Sequence, residues 1–559
     1  MTKQVQSESS SLRRGTAIVG ALTLLSRLLG FVREVLIARL FGASSLADTF
    51  FVAFRIPNLL RSIFAEGALT SAFVPVFAEQ LKHSQTKAAQ AFCSIATLLL
   101  IITSSLTVVG IYFAPQIVTL IAPGFTATPE RFNNCVVLTQ IMLPYIIFVS
   151  FIALVNGTLN SVKIFGISAF AQVVMNITLI IGAFSAGYFE AYQASRVLAW
   201  SVLVGGFVQV ISQLSALKRA GFPILFITNP ISKSSLQVCN LILPAILGST
   251  VYQLTIFINT QIASDLQPGS VSWLSYADRL VQLPIGVFTI ALSSVLLPTL
   301  SKSLVDKDEQ SFNVNLINAL RYTTLVIIPM SVILMIFSEY FVSLIFQRGA
   351  FDQLDTQQTA AIVVAYSFGL FPVSAHSLMI RAIQAKKDTL TPALIGIVTL
   401  LITLILSLLF IGTPYSTKQE LQTASFSVIH LRNILFSFLN NTLPEHWYNY
   451  VSNISLGAVG LALASSLAMI ISMLICMFLL KKRHPGLKWA AFIRSICEVM
   501  IATLIAWGSS IYISNPVISF VIFNSALLFS LFIMGNKEFK ETFELIRRYY
   551  LRVIRKHTN

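Results

Sequence analysis

The chain has 559 residues, of which 55% are hydrophobic and 11% charged, against about 25% charged in soluble domains. With a mean hydropathy of +0.79, that composition excludes an ordinary soluble enzyme, a disordered chain and a disulfide scaffold, and describes an integral membrane protein. The charge is lopsided, 38 Lys+Arg against 22 Asp+Glu for a net +16; in so apolar a sequence this points to the positive-inside bias of membrane topology rather than to nucleic acid.

A helix needs about 20 apolar residues to cross the hydrocarbon. Fourteen runs of that size follow one another: 16–41, 46–76, 89–113, 133–158, 166–187, 195–217, 236–263, 270–300, 316–346, 357–383, 391–412, 453–480, 490–513 and 516–535. They are apolar on all faces, so a barrel, whose strands alternate, is excluded. Arg13-Arg14 precede the first run as in a targeting signal, but no small-residue cleavage site follows and Arg27, Arg33, Glu34 and Arg39 do; the run reads as a retained first span. The five cysteines are scattered, without metal or redox spacing, and read as small buried hydrophobes.

With the N-terminus inside and spans alternating, the cytoplasmic segments hold 26 basic residues and the outer loops 5, namely Arg131, Arg196, Arg348, Lys418 and Arg432. Both termini are therefore expected in the cytoplasm. The segment 424–439 is short and carries His430 and Arg432, so it reads as an interfacial helix within the outer loop 413–452. In the tail 536–559, Phe539, Phe543, Ile546, Tyr550 and Val553 recur at helical spacing opposite Arg548, Arg552 and Arg555. That pattern suits a helix on the anionic inner leaflet, with a solvated tail as the alternative.

Residues 66–81 align without gaps on 289–304 at an offset of 223, with Ala68/Ala291, Ser71/Ser294 and Pro75/Pro298 among the identities; Leu120-Ile121 matches Leu344-Ile345 at 224 and Gly124 matches Gly349 at 225. The repeat holds six spans, an even number, so both copies enter the membrane from the same side, the parallel-repeat plan of one class of transporter. The expected organisation is an N-terminal six-helix lobe at 1–220, a second lobe at 221–482, an extra helix pair at 483–535 and the tail at 536–559, with a central cationic cavity.

Seven arginines and no lysine remain inside spans: Arg27, Arg33, Arg39, Arg55, Arg61, Arg279 and Arg321. Arg39 and Arg321 lie near span ends and are expected to snorkel. Each central arginine facing lipid costs about 2.5–3.5 kcal/mol, so the other five would cost on the order of 15 kcal/mol, more than a typical net stability. They are expected to face water, with Glu34, Asp48, Glu66 and Asp278 as nearby acids. Arg27 and Glu34 share a face of span one; Asp48, Arg55 and Glu66 fall within about 20° on span two. Structural ion pairing is the competing reading. Arginine's fork binds phosphate bidentately, so the implied ligand is an anion, a phosphate or pyrophosphate. Gly30, Pro57 and Pro284 sit among these charges as helix breakers.

No phosphate-binding GxxxxGK[ST] loop and no HExxH occur, and neither cofactor nor metal site is expected. Asp306-Lys307-Asp308 has the spacing of metal-dependent sugar transferases, but it sits in a polar loop. His376 and Glu339, and Arg494 with Glu498, are candidate ion relays, with satisfied polar pairs as the more frequent case.

The stretches SRLLGFVR (26–33), FGA (41–43), DTFFVAFRIPNLLR (48–61) and FAEGA (64–68) resemble the N-terminal signature of the MurJ (MviN) lipid II flippases, of the multidrug, oligosaccharidyl-lipid and polysaccharide exporter superfamily. WLSYADRLVQLP (273–284) resembles their eighth span. The resemblance implies a transporter, not an enzyme, in the bacterial cytoplasmic membrane. It would carry lipid II, the undecaprenyl-pyrophosphate-linked muropeptide, from inner to outer leaflet by alternating access. Arg27, Arg33, Arg61 and Arg279 take the positions of the family's headgroup-binding arginines and Asp48 that of a further acid; Glu34 stands where many members have Asp. With Arg55 they form the candidate substrate-binding set. Some members bind sodium through an acid in span seven, but 236–263 contains no Asp or Glu and offers Gln253 and Asn259, so membrane potential is kept beside an ion as the drive. A related exporter of lipid-linked polysaccharide or drugs is the alternative.

Overall fold

The computed structural model describes residues 3–61, 69–164, 166–223, 228–412, 428–442, 452–513, 515–544 and 547. Glu66, much of the 413–452 loop and the tail beyond 547 lie outside them. Among the described residues the regular structure is entirely helical. Among these described residues, eleven stretches are long and apolar enough to cross a bilayer.

The chain forms two compact units. Residues 1–275, 346–355 and 413–452 make the first, and 276–345, 356–412 and 453–559 the second. In the first are α1 (Lys3–Phe41), α2 (Ser45–Arg61), α3 (Leu69–His83), α4 (Gln85–Tyr112), α5 (Ala114–Ile121), α6 (Pro129–Met142), α7 (Tyr145–Ser161), α8 (Gly166–Ala186), α9 (Ala191–Arg219) and α10 (Lys233–Ser264). Helices α1, α2, α3 and α10 occupy the three expected runs outside the eleven stretches. The expected run 133–158 divides at Leu143-Pro144 into α6 and α7, because proline lacks the amide that would continue the ladder. Phe73, Phe77, Phe92, Phe151 and Phe222 form a buried core where α3, α4, α7 and the end of α9 meet.

Helix α11 (Ser270–Pro284) begins in the first unit and ends in the second. The second unit continues with α12 (Ile290–Val305), α13 (Glu309–Ile336) and α14 (Ser338–Phe346), then α15 (Gln353–Ala385), whose first turn belongs to the first unit, and α16 (Leu390–Phe410). After α17 (Val428–Thr442), in the first unit's inserted loop, come α18 (Gly457–Arg483), α19 (Trp489–Ser510) and α20 (Pro516–Ile533). The late pair α19 and α20 is not set apart. Val499, Ala502, Phe523 and Leu527 pack with Ile328 and Phe337 of the α13 region in one core.

The sequence offset recurs in the helix boundaries. Helices α4 and α13 both have 28 residues, and α8 and α16 both have 21, each pair 224 apart in number. Ser84 and Asp308 cap α4 and α13 by accepting the amides of Lys87 and Ser311. Lys163 and Lys387 both turn left-handed, at φ 63° and 61°. The compact units nevertheless divide at 275/276 rather than at the repeat boundary near 220, because α10 packs on α3, α4 and α5.

The predicted helix breakers act unequally. Helix α1 runs unbroken through Gly30 and α2 through Pro57. After Pro284 the helix opens into a π turn, Ile285–Thr289, before α12 resumes; such turns often accompany functional sites.

Candidate functional site

Helix α1 carries the first charges. Arg27 is exposed and makes no hydrogen bond or ion pair among the described residues. Arg33 is different. Its Nη2 lies 2.5 Å from Glu34 Oε1, its Nη1 donates to Asn176 Oδ1 of α8 at 3.1 Å, and only 13% of the side chain is exposed. Asn176 in turn donates to the Ser26 carbonyl at 2.9 Å and to Ser26 Oγ at 3.1 Å, clamping α1 to α8. Glu34, which helical spacing puts on the face of Arg27, thus gives its carboxylate to Arg33. A guanidinium so held is pre-oriented, while Arg27 is free to meet an outside anion.

Helix α2 begins with Asp48, which is 0% exposed. Its carboxylate accepts from Arg131 Nη2 at 2.6 Å, the Gly269 amide at 2.7 Å, the Ser272 amide at 2.8 Å and Ser272 Oγ at 2.6 Å. The two amides are at the start of α11, where an anion is stabilised by unpaired N–H groups and the helix dipole. Arg131, counted from sequence as an outer-loop charge, is instead buried on α6 and stacks over the Phe125 ring at 3.8 Å. It is internal because Asp48 supplies the compensating charge. Expected among substrate-binding residues, Asp48 is enclosed by four bonds inside the first unit.

A second enclosed carboxylate, Asp355 at the start of α15, went unnoticed in the sequence. It accepts from the Ala43 amide at 3.0 Å and from Trp273 Nε1 at 2.9 Å. The loops it joins cross backbone to backbone, with the Ala350 amide on the Arg39 carbonyl at 2.9 Å. Gly42 makes this approach feasible: its φ is +58° and a Cβ there would lie 2.3 Å from the Ala350 carbonyl oxygen.

Further along α2, Arg55 donates to Thr260 Oγ1 of α10, and Arg61 Nε donates to Asn58 Oδ1 at 3.2 Å. Both arginines are half-buried. Arg279 is exposed on α11 in the second unit, beside Asp278, which accepts from Gln282. Of the two arginines expected to snorkel, Arg39 is exposed, but Arg321 pairs with Glu538 of the tail at 2.8 Å with 16% and 3% of the side chains exposed. The tail's first turns, 537–544, are helical, and Phe539 packs against the second unit's core. They dock on protein because Glu538 offers Arg321 a buried counter-charge. The proposed relay pair Arg494 and Glu498 is 2.7 Å apart, and Glu498 also accepts from Asn536 at 2.9 Å, so it anchors the same tail. Among the described residues no three His, Cys, Asp or Glu side chains converge on a common point.

A chain of bilayer-length helices, with arginines exposed on two of them and buried carboxylates lacing α2, α6 and α11 together, has the architecture of a multi-pass membrane transporter. The fold is similar, with a TM-score of 0.64 at 13% identity over 84% of this chain and 98% of the other, to an inward-facing multidrug resistance MATE family transporter of the MOP superfamily. A solved lipid II flippase MurJ in the inward closed conformation is more similar, with a TM-score of 0.74 at 26% identity over 93% of this chain and 98% of that one. The lipid II flippase MurJ of Burkholderia cenocepacia is 38% identical over 409 residues, 72% of this chain and 78% of that protein. The family model for lipid II flippase MurJ matches residues 37–429. The chain belongs to the MurJ family of lipid II flippases, multi-pass proteins of the bacterial inner membrane.

Proposed function

We propose that this protein translocates lipid II from the inner to the outer leaflet of the cytoplasmic membrane by alternating access. Family membership sets the substrate class, and the observation that carries the mechanism is the contrast on α1: Arg27 exposed and without a partner among the described residues, Arg33 fixed by Glu34 and Asn176. Such a pair offers an anion one adaptable and one pre-oriented guanidinium. Arg61 and Arg279, half-buried and exposed, complete the proposed headgroup set with Arg55, while Asp48 supports the scaffold of the first unit.

The orientation follows from the 26 basic residues on one side against 5 on the other, which put both termini in the cytoplasm and require an even number of spans, fourteen in this reading. An inside-negative potential drives an anionic headgroup outward, each charge contributing about 2.3 kcal/mol per 100 mV. Drug export on the same fold would call for carboxylates in contact with a cation, whereas the exposed groups on α1 and α11 are arginines.

The deciding experiment is to measure outer-leaflet lipid II after depletion of this protein. A fall is expected; unchanged levels in a cell with no other flippase overturn the reading. Growth unaffected by Arg33→Ala and Arg61→Ala, together with altered drug resistance, would favour the exporter.

A further inference from the structure

At one end of the first unit the C-terminus of α10 meets α5 and the 3-10 turn Pro123–Ala127. Gln261 Nε2 donates to the Leu120 carbonyl at 2.6 Å, and the Gly124 amide donates to Ser264 Oγ at 3.2 Å. The approach is so close that a Cβ on Gly124 would lie 2.3 Å from the Ser264 carbonyl oxygen and 2.6 Å from Asp265 Oδ1. Asp265 itself is 2% exposed, and neither of its carboxyl oxygens has a hydrogen-bond partner.

The unit's two other enclosed aspartates show what compensation requires. Asp48 accepts four hydrogen bonds, one of them from an arginine, and Asp355 accepts from an amide and an indole. Among the described residues Asp265 receives none, and no nearby charge replaces them. Helix α5 and the 123–127 turn contain no charged residue. On α6, Glu130 is exposed and Arg131 is committed to Asp48. On α2, Arg55 is bonded to Thr260. Glu79, Lys82, His83 and Lys87 of α3 and α4 are near the Val238 end of α10, about 40 Å along the helix at 1.5 Å per residue. An uncompensated carboxylate is strongly disfavoured in such a place, and the neutral acid is what the closed contact accommodates.

We propose that Asp265 is a proton-binding site that latches the 123–127 turn onto the end of α10: the protonated acid is sealed beneath Gly124, and release of the proton to water accompanies lifting of the turn. Neither the family relationship nor the arginine set bears on this site. Burial pushes the acid from 3.8 up to about 7. The sign follows. The closed form holds a proton that the open form, with the ordinary 3.8, gives up. The closed contact is therefore at full strength below about pH 4, loses up to tenfold per pH unit from there to about pH 7, and changes little above, where both forms are ionised.

The test is hydrogen–deuterium exchange of the full-length protein in lipid nanodiscs, corrected for intrinsic rates, on peptides covering 120–128. In the wild type, protection is expected to fall by up to about tenfold per pH unit between about pH 4.5 and pH 7 and to level off above. Asp265→Asn, a neutral isostere, is expected to keep the turn protected throughout. A variant with the wild-type pH profile, or a wild type whose protection is flat, overturns the proposal. Infrared titration of the wild type is a second arm that needs no variant. A protonated carboxyl band that disappears near neutrality is expected, and its absence overturns the proposal without touching the flippase reading.

Discussion

Asp48 and Arg131 meet at 2.6 Å with 0% and 6% of their side chains exposed, joining α2 to α6 across 83 residues of sequence. Removing one partner strands the other as a buried charge, which costs about 3–5 kcal/mol. Asp48→Asn and Arg131→Ala are each expected to lower stability by that order, read as a large fall in thermal unfolding temperature in detergent. Loss of transport should accompany the loss of stability. An Asp48→Asn protein that melts like the wild type but no longer binds lipid II would instead place the carboxylate on the substrate.

The two arginines of α1 should separate in the opposite way. Arg27 is exposed and has no partner among the described residues, so Arg27→Ala should leave stability within about 0.5 kcal/mol of the wild type while weakening lipid II binding. Arg33→Ala releases Glu34, 4% exposed, and breaks the bond to Asn176, so it should reduce both stability and binding. Arg33→Lys retains charge but not the fork and should not restore the wild type. Binding isotherms beside melting curves for the three variants check the pattern.

Helical periodicity and the 223–225 offset foretold much of the fold because both depend on spacing along one chain. The equal lengths of α4 and α13 and the matching caps at Ser84 and Asp308 are its imprint. The site was legible only in part. Arg131 follows Pro129 and Glu130, a local sequence that looks like a solvated loop, and the residue that makes it internal is far away on α2. Asp355 stands in the polar stretch FDQLD, and nothing local tells that its partners are an amide at Ala43 and the indole of Trp273. The same limit hid the tail's docking. Phe539 and Phe543 share a helical stripe, yet Phe539 packs on protein and Phe543 is 54% exposed, a difference set by Arg321 on another helix.

That docking can be broken from either side. Arg321 and Glu538 are largely buried at 2.8 Å, and Tyr322 donates its hydroxyl to Glu541 at 2.7 Å. Arg321→Ala should destabilise the second unit by about 3 kcal/mol, the lower end for a buried pair because Arg321 is partly exposed. It should also make the chain after Gly535 susceptible to protease. Arg321→Ala with Glu538→Leu, which removes both charges, should recover part of the loss. Equal protease resistance of wild type and Arg321→Ala would show that Phe539, Asn536 and the Tyr322–Glu541 bond hold the tail without the ion pair.

The turn between α15 and α16 gives a prediction in pH. Asp388 accepts the Thr391 amide at 2.9 Å and hydroxyl at 2.6 Å, and Arg483 at the end of α18 donates to it at 2.6 Å and to Thr391 Oγ1 at 3.0 Å. The Thr391 bonds, and then Arg483, favour the ionised form and hold this acid down at about 2, below its ordinary 3.8. A lowered acid stabilises the fold above the unfolded value and loses that contribution as pH falls through the folded one. Wild type should therefore exceed Asp388→Asn in melting temperature at neutral pH by a margin worth about 1 kcal/mol or less, since Arg483 is 39% and Asp388 23% exposed. The margin should shrink between about pH 4 and pH 2 and vanish below. Because Asn mimics the protonated acid, a margin that persists unchanged at the acid end would mean that shape rather than charge joins α18 to α16.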